Sequence, residues 1–553
     1  MRAPIIVLIV IYAISVFGLT LVPGIDGEGK VAPPLSFFHA FYFISYTATT
    51  IGFGEIPAAF SDAQRLWATV CIYLTVIGWS YSIVTLIALL QDKGFQNTLT
   101  SNRFARRVMR LKEPFYLICG YGETGRLVCQ ALDHLNQRFV IVDKDEQQIQ
   151  AVTQESYLTD PLALAADARQ PEHLLQAGLR HRRCQGVLAL TNDESTNLAI
   201  TMAVRLLNPT APVLARARSA MIAANMKSFS TDHIINPFER FAEYLSLAAV
   251  APERFHLIEL LTGLPGTAIP ELHRPPQGRW IVCGFGIFGQ AVVRNLEATG
   301  ASVTVVDPHA DPDNGVNGIR GRGADAATLE AAGVRDARGI VAGSDDDVSN
   351  LAIAITAREL NPELFVVTRQ NLAANSSLFD AFIGDFCMVP SRIVAEECLA
   401  ILTTPMLARF LRLLRERDEP WSARMAARLQ AVCPDRVPEV WSVCLNVRDA
   451  GAVHRRLMQA RPVDLGELML DNVDRSESIP MVALLLERNG KPQLLPPPEF
   501  ALMPGDQLLL AGADGTRRRF ELTLQNSNVM EYVLSGRESG GGWLWQRLSG
   551  NRD

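Results

Sequence analysis

Charge is scarce at one end of this chain. Residues 1–90 carry seven formal charges: Arg2, Asp26, Glu28, Lys30, Glu55, Asp62 and Arg65. A basic excess is also missing. Lys and Arg total 52 against 58 Asp and Glu, for a net charge of −6, which excludes wholesale nucleic-acid binding. The nine cysteines (71, 119, 129, 184, 283, 387, 398, 433 and 444) form no CxxC pair. An odd, scattered set excludes a disulfide framework and suits reduced thiols in a cytosolic body. Disorder is excluded by a composition that is 48% hydrophobic and 20% charged. At about 100–200 residues per domain, 553 residues imply three or four units.

What the poor end does contain is apolar length. Residues 3–22 are uncharged, and 20 residues rising about 1.5 Å each span roughly 30 Å, the thickness of bilayer hydrocarbon. Residues 66–90 are also uncharged and long enough to cross. No small-x-small cleavage site precedes Pro23, so the first run reads as a span rather than a signal peptide. Lys93, Arg103, Arg106, Arg107, Arg110 and Lys112 follow the second span, opposed by Asp92 alone, and Arg2 precedes the first. Positive residues stay inside, so both termini are expected in the cytoplasm and residues 23–64 outside. The basic segment reads as a solvated linker that can touch anionic headgroups.

Between the spans lies SFFHAFYFISYTATTIGFGEIP, beginning at Ser36. An aromatic half-helix, about residues 36–48, runs into Thr49-Thr50-Ile51-Gly52-Phe53-Gly54-Glu55. Alternate glycines permit backbone that residues with a Cβ resist. Non-helical backbone at membrane depth is tolerated only where protein buries it or where it lines an aqueous path. Residues 47–55, TATTIGFGE, resemble the potassium-channel signature T-x-T-T-V-G-Y-G-D. The resemblance implies ion-binding carbonyls at Thr50, Ile51, Gly52 and Phe53, the Thr50 hydroxyl at the inner end, and Gly54 and Glu55 at the outer mouth. It also implies a homotetramer, each copy supplying a quarter of the pore, with K+ as the permeant ion. Phe53 stands where the family has tyrosine, which removes a hydroxyl that braces the filter. Gly78, within the second span, reads either as a gating hinge or as a site of close helix packing.

The remainder is a duplication. Residues 115–125 read FYLICGYGETG and 279–289 read RWIVCGFGIFG. Both place G-x-G-x-x-G after an apolar strand: Gly120, Gly122 and Gly125, then Gly284, Gly286 and Gly289. Eighteen residues beyond the last glycine stand Asp143 and Asp307. Asp167 matches Asp325, Asn197 matches Asn350, and Arg216 matches Arg369. The offset shrinks from 164 to 158 to 153, as loop deletions produce. A strand, a glycine loop, a helix and an acid about 20 residues on make a nucleotide-binding Rossmann unit, with a parallel sheet covered on both faces. The pyrophosphate would sit on the helix N-terminus. Asp143 and Asp307 would accept from ribose hydroxyls, favouring NAD or ADP over a 2′-phosphorylated cofactor. Arg216 and Arg369 would reach phosphates. Glu123 lies between the glycines of the first loop and opposes an anion there, with Arg126 adjacent to offset it. The second loop, with Ile287 and Phe288, looks the cleaner cradle.

A two-span pore followed by a Rossmann repeat resembles the prokaryotic potassium channels with tandem RCK domains (regulators of potassium conductance). The expected fold class is a membrane α-helical two-span pore module, then two α/β Rossmann-like RCK domains and a small α+β C-terminal lobe. The expected divisions are a first span 1–22, outer loop, pore helix and filter 23–64, second span 65–91 and cytoplasmic linker 92–112. Then follow a first Rossmann lobe with crossover helix 113–250, a connector 251–277, a second lobe 278–402, a helical connector and C-terminal lobe 403–536, and a flexible tail 537–553. The resemblance implies a tetramer with eight RCK units in a gating ring, crossover helices that serve as dimerisation surface, and a multi-pass protein of the inner membrane. Asp345, Asp346 and Asp347 form the densest acidic cluster and stand as a candidate calcium site, although EF-hand spacing is absent.

These features point to a ligand-gated potassium channel opened or closed by nucleotide. Two alternatives remain at this stage. One is a less selective monovalent cation channel on the same scaffold. The other is a membrane-anchored NAD-dependent oxidoreductase, which lacks a motif-placed His or Lys and leaves the filter unexplained. An enzyme is therefore not expected.

Overall fold

The computed structural model describes residues 2–26, 30–55, 59–91, 93–310 and 318–537. The tail expected over 537–553 lies, beyond Arg537, outside the described residues. The chain divides into two units, Met1–Arg107 and Val108–Asp553.

In the first unit, uncharged sequence forms helices because only intrachain hydrogen bonds satisfy backbone in an apolar medium. Arg2–Leu21 is a 20-residue helix and Asp62–Gln91 a 30-residue helix. The stretch Asp62–Ala88 is long and apolar enough to cross a membrane, and Ile5–Leu21 is a shorter apolar helix. Large side chains such as Ile9, Phe17, Leu66, Ile77 and Val84 are exposed along both. A bilayer removes the cost that water would impose on them. The two helices meet through small residues. A Cβ on Gly18 would lie 2.1 Å from the Trp67 ring, and one on Gly78 would lie 2.3 Å from Ile11 Cδ1. The helix continues unbroken through Gly78, which favours close packing over a hinge at that position. The segment expected as a linker is itself helical over Lys93–Val108, with Arg106 and Arg107 in its last turn, where the helix dipole favours cations.

Among the described residues, the second unit holds three sheets. Two are six-stranded, all parallel and alike. The first runs Leu162–Ala165, Arg138–Asp143, Phe115–Cys119, Cys184–Ala189, Val213–Arg216, His233–Ile235. In the same order, the second runs Gly318–Arg320, Ser302–Asp307, Arg279–Cys283, Gly339–Ala342, Phe365–Arg369, Phe386–Met388. Runs such as FVIVD and VTVVD are buried on both faces, as parallel strands under helices require. Each sheet reverses direction of growth beside its central strand, and the glycine loop lies there.

The lobes then exchange helices. Pro237–Val250 leaves the first lobe and packs on Ile287–Ala298 of the second, and Pro390–Thr403 packs on Glu123–His134 of the first. Phe238, Phe241, Ala242 and Leu245 thus share a core with Phe288, Ala291 and Val292. Val394, Ala395 and Cys398 share one with Val128, Cys129 and Leu132. Each large apolar side chain buried this way is worth about 1.5–3 kcal/mol, so neither lobe completes its core alone. The crossover faces expected as dimerisation surface are used within one chain.

The expected connector contains the helix Pro252–Thr262, which packs on Glu419–Val432. Its Leu257, Leu260 and Leu261 join Phe410, Met425, Leu484 and Leu509 in a single core. That core backs the third sheet, antiparallel in the order Glu439–Cys444, Gln507–Gly512, Met481–Arg488, Lys491–Leu494. The last hairpin turns at Asn489 and Gly490, both at positive φ (51° and 77°), as a two-residue turn matching strand twist requires.

Two acids meet where Pro252–Thr262 packs on Pro390–Thr403. Burial pushes the Glu259 carboxyl up to about 8, with Glu396 adding to the rise. Burial likewise pushes Glu396 up to about 7, with Arg392 opposing. A carboxyl raised in the folded state favours folding at low pH and loses that contribution as pH climbs from its unfolded value of 4.5 through the raised value. Glu259→Gln is therefore expected to raise the melting temperature of the second unit at pH 8 and to leave it nearly unchanged at pH 5. Thermal melts at both pH values check this, and a gain of equal size at both would reject it.

Candidate functional site

The pore-loop geometry begins at a capped helix. Ser36 caps Phe37–Ala48 by accepting from the His39 N–H, and Thr49 closes its other end. Beyond it the chain hangs from one carbonyl: Tyr46 O accepts from the N–H of Ile51 at 2.9 Å and of Gly52 at 3.3 Å. Thr50, Gly52 and Gly54 have φ of 63°, 68° and 91°. A left-handed residue at every second position lets consecutive carbonyls face one way. A Cβ on Gly52 or Gly54 would meet nothing within 4 Å in this chain, so backbone angle, not crowding, demands glycine there. Thr50 adopts the same region with a Cβ, a strain of about 1–2 kcal/mol.

Two braces hold this backbone, and neither is legible in the sequence alone. The Tyr46 hydroxyl donates to Gly54 O, and its ring meets Phe53 edge-on at 5.4 Å. The hydroxyl missing at Phe53 is thus supplied from the pore helix. Glu55 accepts from Phe60 N at 2.9 Å and from Arg65 Nε at 2.9 Å and Nη2 at 3.3 Å. Tyr46 escaped notice because an aromatic in an aromatic-rich half-helix reads as packing.

Both Rossmann loops divide labour among their glycines. A Cβ on Gly125 would lie 2.0 Å from Gly120 O, and one on Gly289 would lie 1.9 Å from Gly284 O. Helix and turn therefore touch there. Gly122 and Gly286 are the N-caps of Glu123–His134 and Ile287–Ala298, with no side-chain cap. Nothing lies within 4 Å of a Cβ on Gly286, and only Asn192 Nδ2, at 3.9 Å, approaches one on Gly122. Uncapped helix N–H groups facing open space suit an anion. Asp143 accepts from Tyr121 N (2.6 Å) and Asp145 N (2.8 Å), and Asp307 from Phe285 N and His309 N (both 2.8 Å). Each oxygen keeps acceptor capacity for a hydroxyl.

The other expected nucleotide residues take varied positions. Arg216 is buried and donates to Asn192 Oδ1 at 2.9 Å and to Thr124 Oγ1, in the first loop, at 3.3 Å. Burial lowers its pKa to about 10. Buried Arg369 pairs with Asp345 at 2.7 Å and lies over the rings of Phe238 and Phe288, at 4.8 and 5.5 Å. Asn197 and Asn350 each donate to the carbonyl of their arginine, at 2.9 and 2.7 Å, which gives the repeated Asn a positioning task. Asp167 is engaged by Arg169 at 2.6 Å, which holds its carboxyl below the usual range. Asp325 caps Ala326–Ala331, accepting from Thr328 N and Oγ1 at 2.8 Å each.

The structure gives the calcium reading no support. Asp345 pairs with Arg369, while Asp346 caps Asp347–Leu360 through Ser349 N at 2.8 Å. Asp347 turns inward and accepts from Asn371 N (2.6 Å), Asn371 Nδ2 (2.9 Å), Leu372 N (3.1 Å) and Asn375 Nδ2 (2.7 Å). Three consecutive carboxylates each serve a separate set of partners, and among the described residues no group of three His, Cys, Asp or Glu side chains could hold a metal.

Tyr46→Phe isolates the hydroxyl brace, because ring packing survives. A lost hydrogen bond of about 1 kcal/mol should raise exchange of the Gly52–Gly54 amides about fivefold. Hydrogen–deuterium exchange in detergent measures it, and unchanged protection would show that the brace is idle.

Comparison with known proteins agrees with both units. Residues 5–92 match the ion channel family, and residues 116–237 and 280–388 match the TrkA-N domain. An uncharacterized protein of Methanothermus fervidus is 28% identical over 44% of this chain and 37% of its own length. Potassium channel protein 1 of Methanocaldococcus jannaschii is 24% identical over 42% of this chain and 67% of its own. The chain thus spans between about a third and two thirds of these relatives. The GsuK channel bound to NAD is 16% identical, covers 94% of this chain and 97% of its own, and superposes with a TM-score of 0.44. The chain belongs to the ion channels that carry a pair of TrkA-N domains.

Proposed function

We propose that this chain is one subunit of a homotetrameric, nucleotide-gated potassium channel of the cell membrane, with both termini in the cytoplasm, and not an enzyme. The observation that carries the reading is the left-handed backbone at Thr50, Gly52 and Gly54, hung from Tyr46 between two apolar helices. Four such loops about one axis would offer carbonyls of Thr50, Ile51, Gly52 and Phe53 in place of the water a K+ ion sheds. Relatives named as potassium channels support it. A less selective cation channel is the second reading, and the Tyr46 hydroxyl on Gly54 O weighs against it by stiffening the loop.

The Rossmann clefts supply the gate. NAD or ADP on a glycine loop, its ribose on Asp307 or Asp143, shifts a closed–open equilibrium only by its differential affinity for the two states. The bias would reach the second span through the covalent link at residues 92–112.

Planar-bilayer recording with ion substitution, followed by NAD and ADP on the cytoplasmic side, tests the whole reading. Gly52→Ala should abolish rubidium flux into proteoliposomes while tetramers survive on size exclusion. Undiminished flux would reject the filter. For the nucleotide, Asp307→Ala should weaken binding about ten- to a hundredfold, the loss of one charge-assisted hydrogen bond, and Asp143→Ala less. Calorimetry on the full chain compares them, and the reverse ranking would reject the choice of the second cleft.

A further inference from the structure

The two glycine loops differ at the residue following the N-cap glycine. In the second it is Ile287, an exposed apolar side chain with no charge to set against a phosphate. In the first it is Glu123. A glutamate in a first helical turn is ordinary dipole chemistry, and the sequence suggested that Arg126 would neutralise it. Arg126 does not. It turns to Glu155, at 2.6 Å.

Glu123 is engaged elsewhere. Its Oε1 accepts a 2.7 Å hydrogen bond from the backbone N–H of Ala373, 250 residues away in the second lobe. Ala373 opens the short turn Ala373–Asn375. That turn follows a loop pinned by Asp347 through Asn371, Leu372 and Asn375, so the donor is held in place before Glu123 meets it. The negative charge of Glu123 also favours the charged form of buried Arg216, against burial and the neighbouring Arg218 and Arg369. Arg216 in turn reaches Thr124 of the same glycine loop. One carboxylate on the first residue of the glycine-loop helix therefore bonds to the opposite lobe.

We propose that Glu123 is a built-in anion that occupies the phosphate position of the first glycine loop, closes that cleft to nucleotide and latches the first lobe to the second. The second cleft is then the nucleotide site. The inference rests on the reading that these clefts bind adenine nucleotides, and it adds a reason for their asymmetry: a pyrophosphate entering the first loop meets a like charge and must break the Glu123–Ala373 bond.

Calorimetry with ADP and with NAD on the detergent-solubilised full chain tests the latch. The wild type should bind one nucleotide per chain, weakened about ten- to a hundredfold in Asp307→Ala and far less in Asp143→Ala. Glu123→Ala should add a second site, tighter by at least tenfold than any first-cleft binding in the wild type and lost when Asp143→Ala is combined with it. Glu123→Gln, which keeps an acceptor but no charge, should also gain the site and serves if the alanine variant fails to fold. Amide exchange at Ala373 should rise in Glu123→Ala. The proposal is overturned if the wild type already fills an Asp143-dependent site that Glu123→Ala and Glu123→Gln do not tighten. It is equally overturned if both variants keep the Asp307-dependent site and gain nothing. Absence of binding in every protein would reject the nucleotide reading itself and this inference with it, a result distinct from the other two.

Discussion

Left-handed backbone at three alternate positions is costly, and a single residue holds most of it in place. Tyr46 accepts from the N–H groups of Ile51 and Gly52 with its carbonyl, donates to Gly54 O with its hydroxyl, and packs its ring on Phe53. The loop is thereby fixed at both ends by one side of one helical turn. Strained backbone persists only where its surroundings over-determine it. The capped half-helix and its burial of Phe43, Ile44 and Ala40 hold that turn in place. The proposed ion path of peptide carbonyls would need such support, because backbone carbonyls are oriented only by the backbone itself.

The second unit meets a different constraint. Each Rossmann lobe leaves a glycine-loop helix with an uncovered apolar face, and each covers the other's with its crossover helix. A nucleotide on either loop would therefore touch a helix whose outer side is packed by the opposite lobe. Phe288 is the example: it follows the second loop, lies against Phe238 and Phe241 of the first lobe, and supports Arg369. In the proposed gating, coupling between clefts and lobes would need no long wire, because the glycine-loop helices that would bind nucleotide are the ones the opposite lobe packs on.

Much of this was legible from residue types alone. Charge-free runs of 20 residues or more, alternate glycines after Thr50, and two G-x-G-x-x-G loops each followed by an aspartate are local requirements, and each demands particular residues at fixed spacing. The fold class followed from them. Less legible were tasks whose partners come from far along the chain. Asp345, Asp346 and Asp347 looked like one acidic cluster and proved to be three unrelated devices, since neighbouring side chains at a helix start point in different directions. Residues 251–277 looked like a bare connector, yet Leu257, Leu260 and Leu261 complete a core whose other half begins about 150 residues later.

By itself, then, the sequence determined where the chain must be apolar, where it must take positive φ, and where a helix start must lie bare, because these demands are met within a few residues. Tertiary structure alone decided which lobe each crossover helix covers, that Tyr46 replaces the hydroxyl absent at Phe53, and that Glu123 bonds to Ala373 rather than Arg126. The physical reason is that an apolar face or a carboxylate specifies the kind of partner it needs and not its address, which is set only when distant segments are packed together.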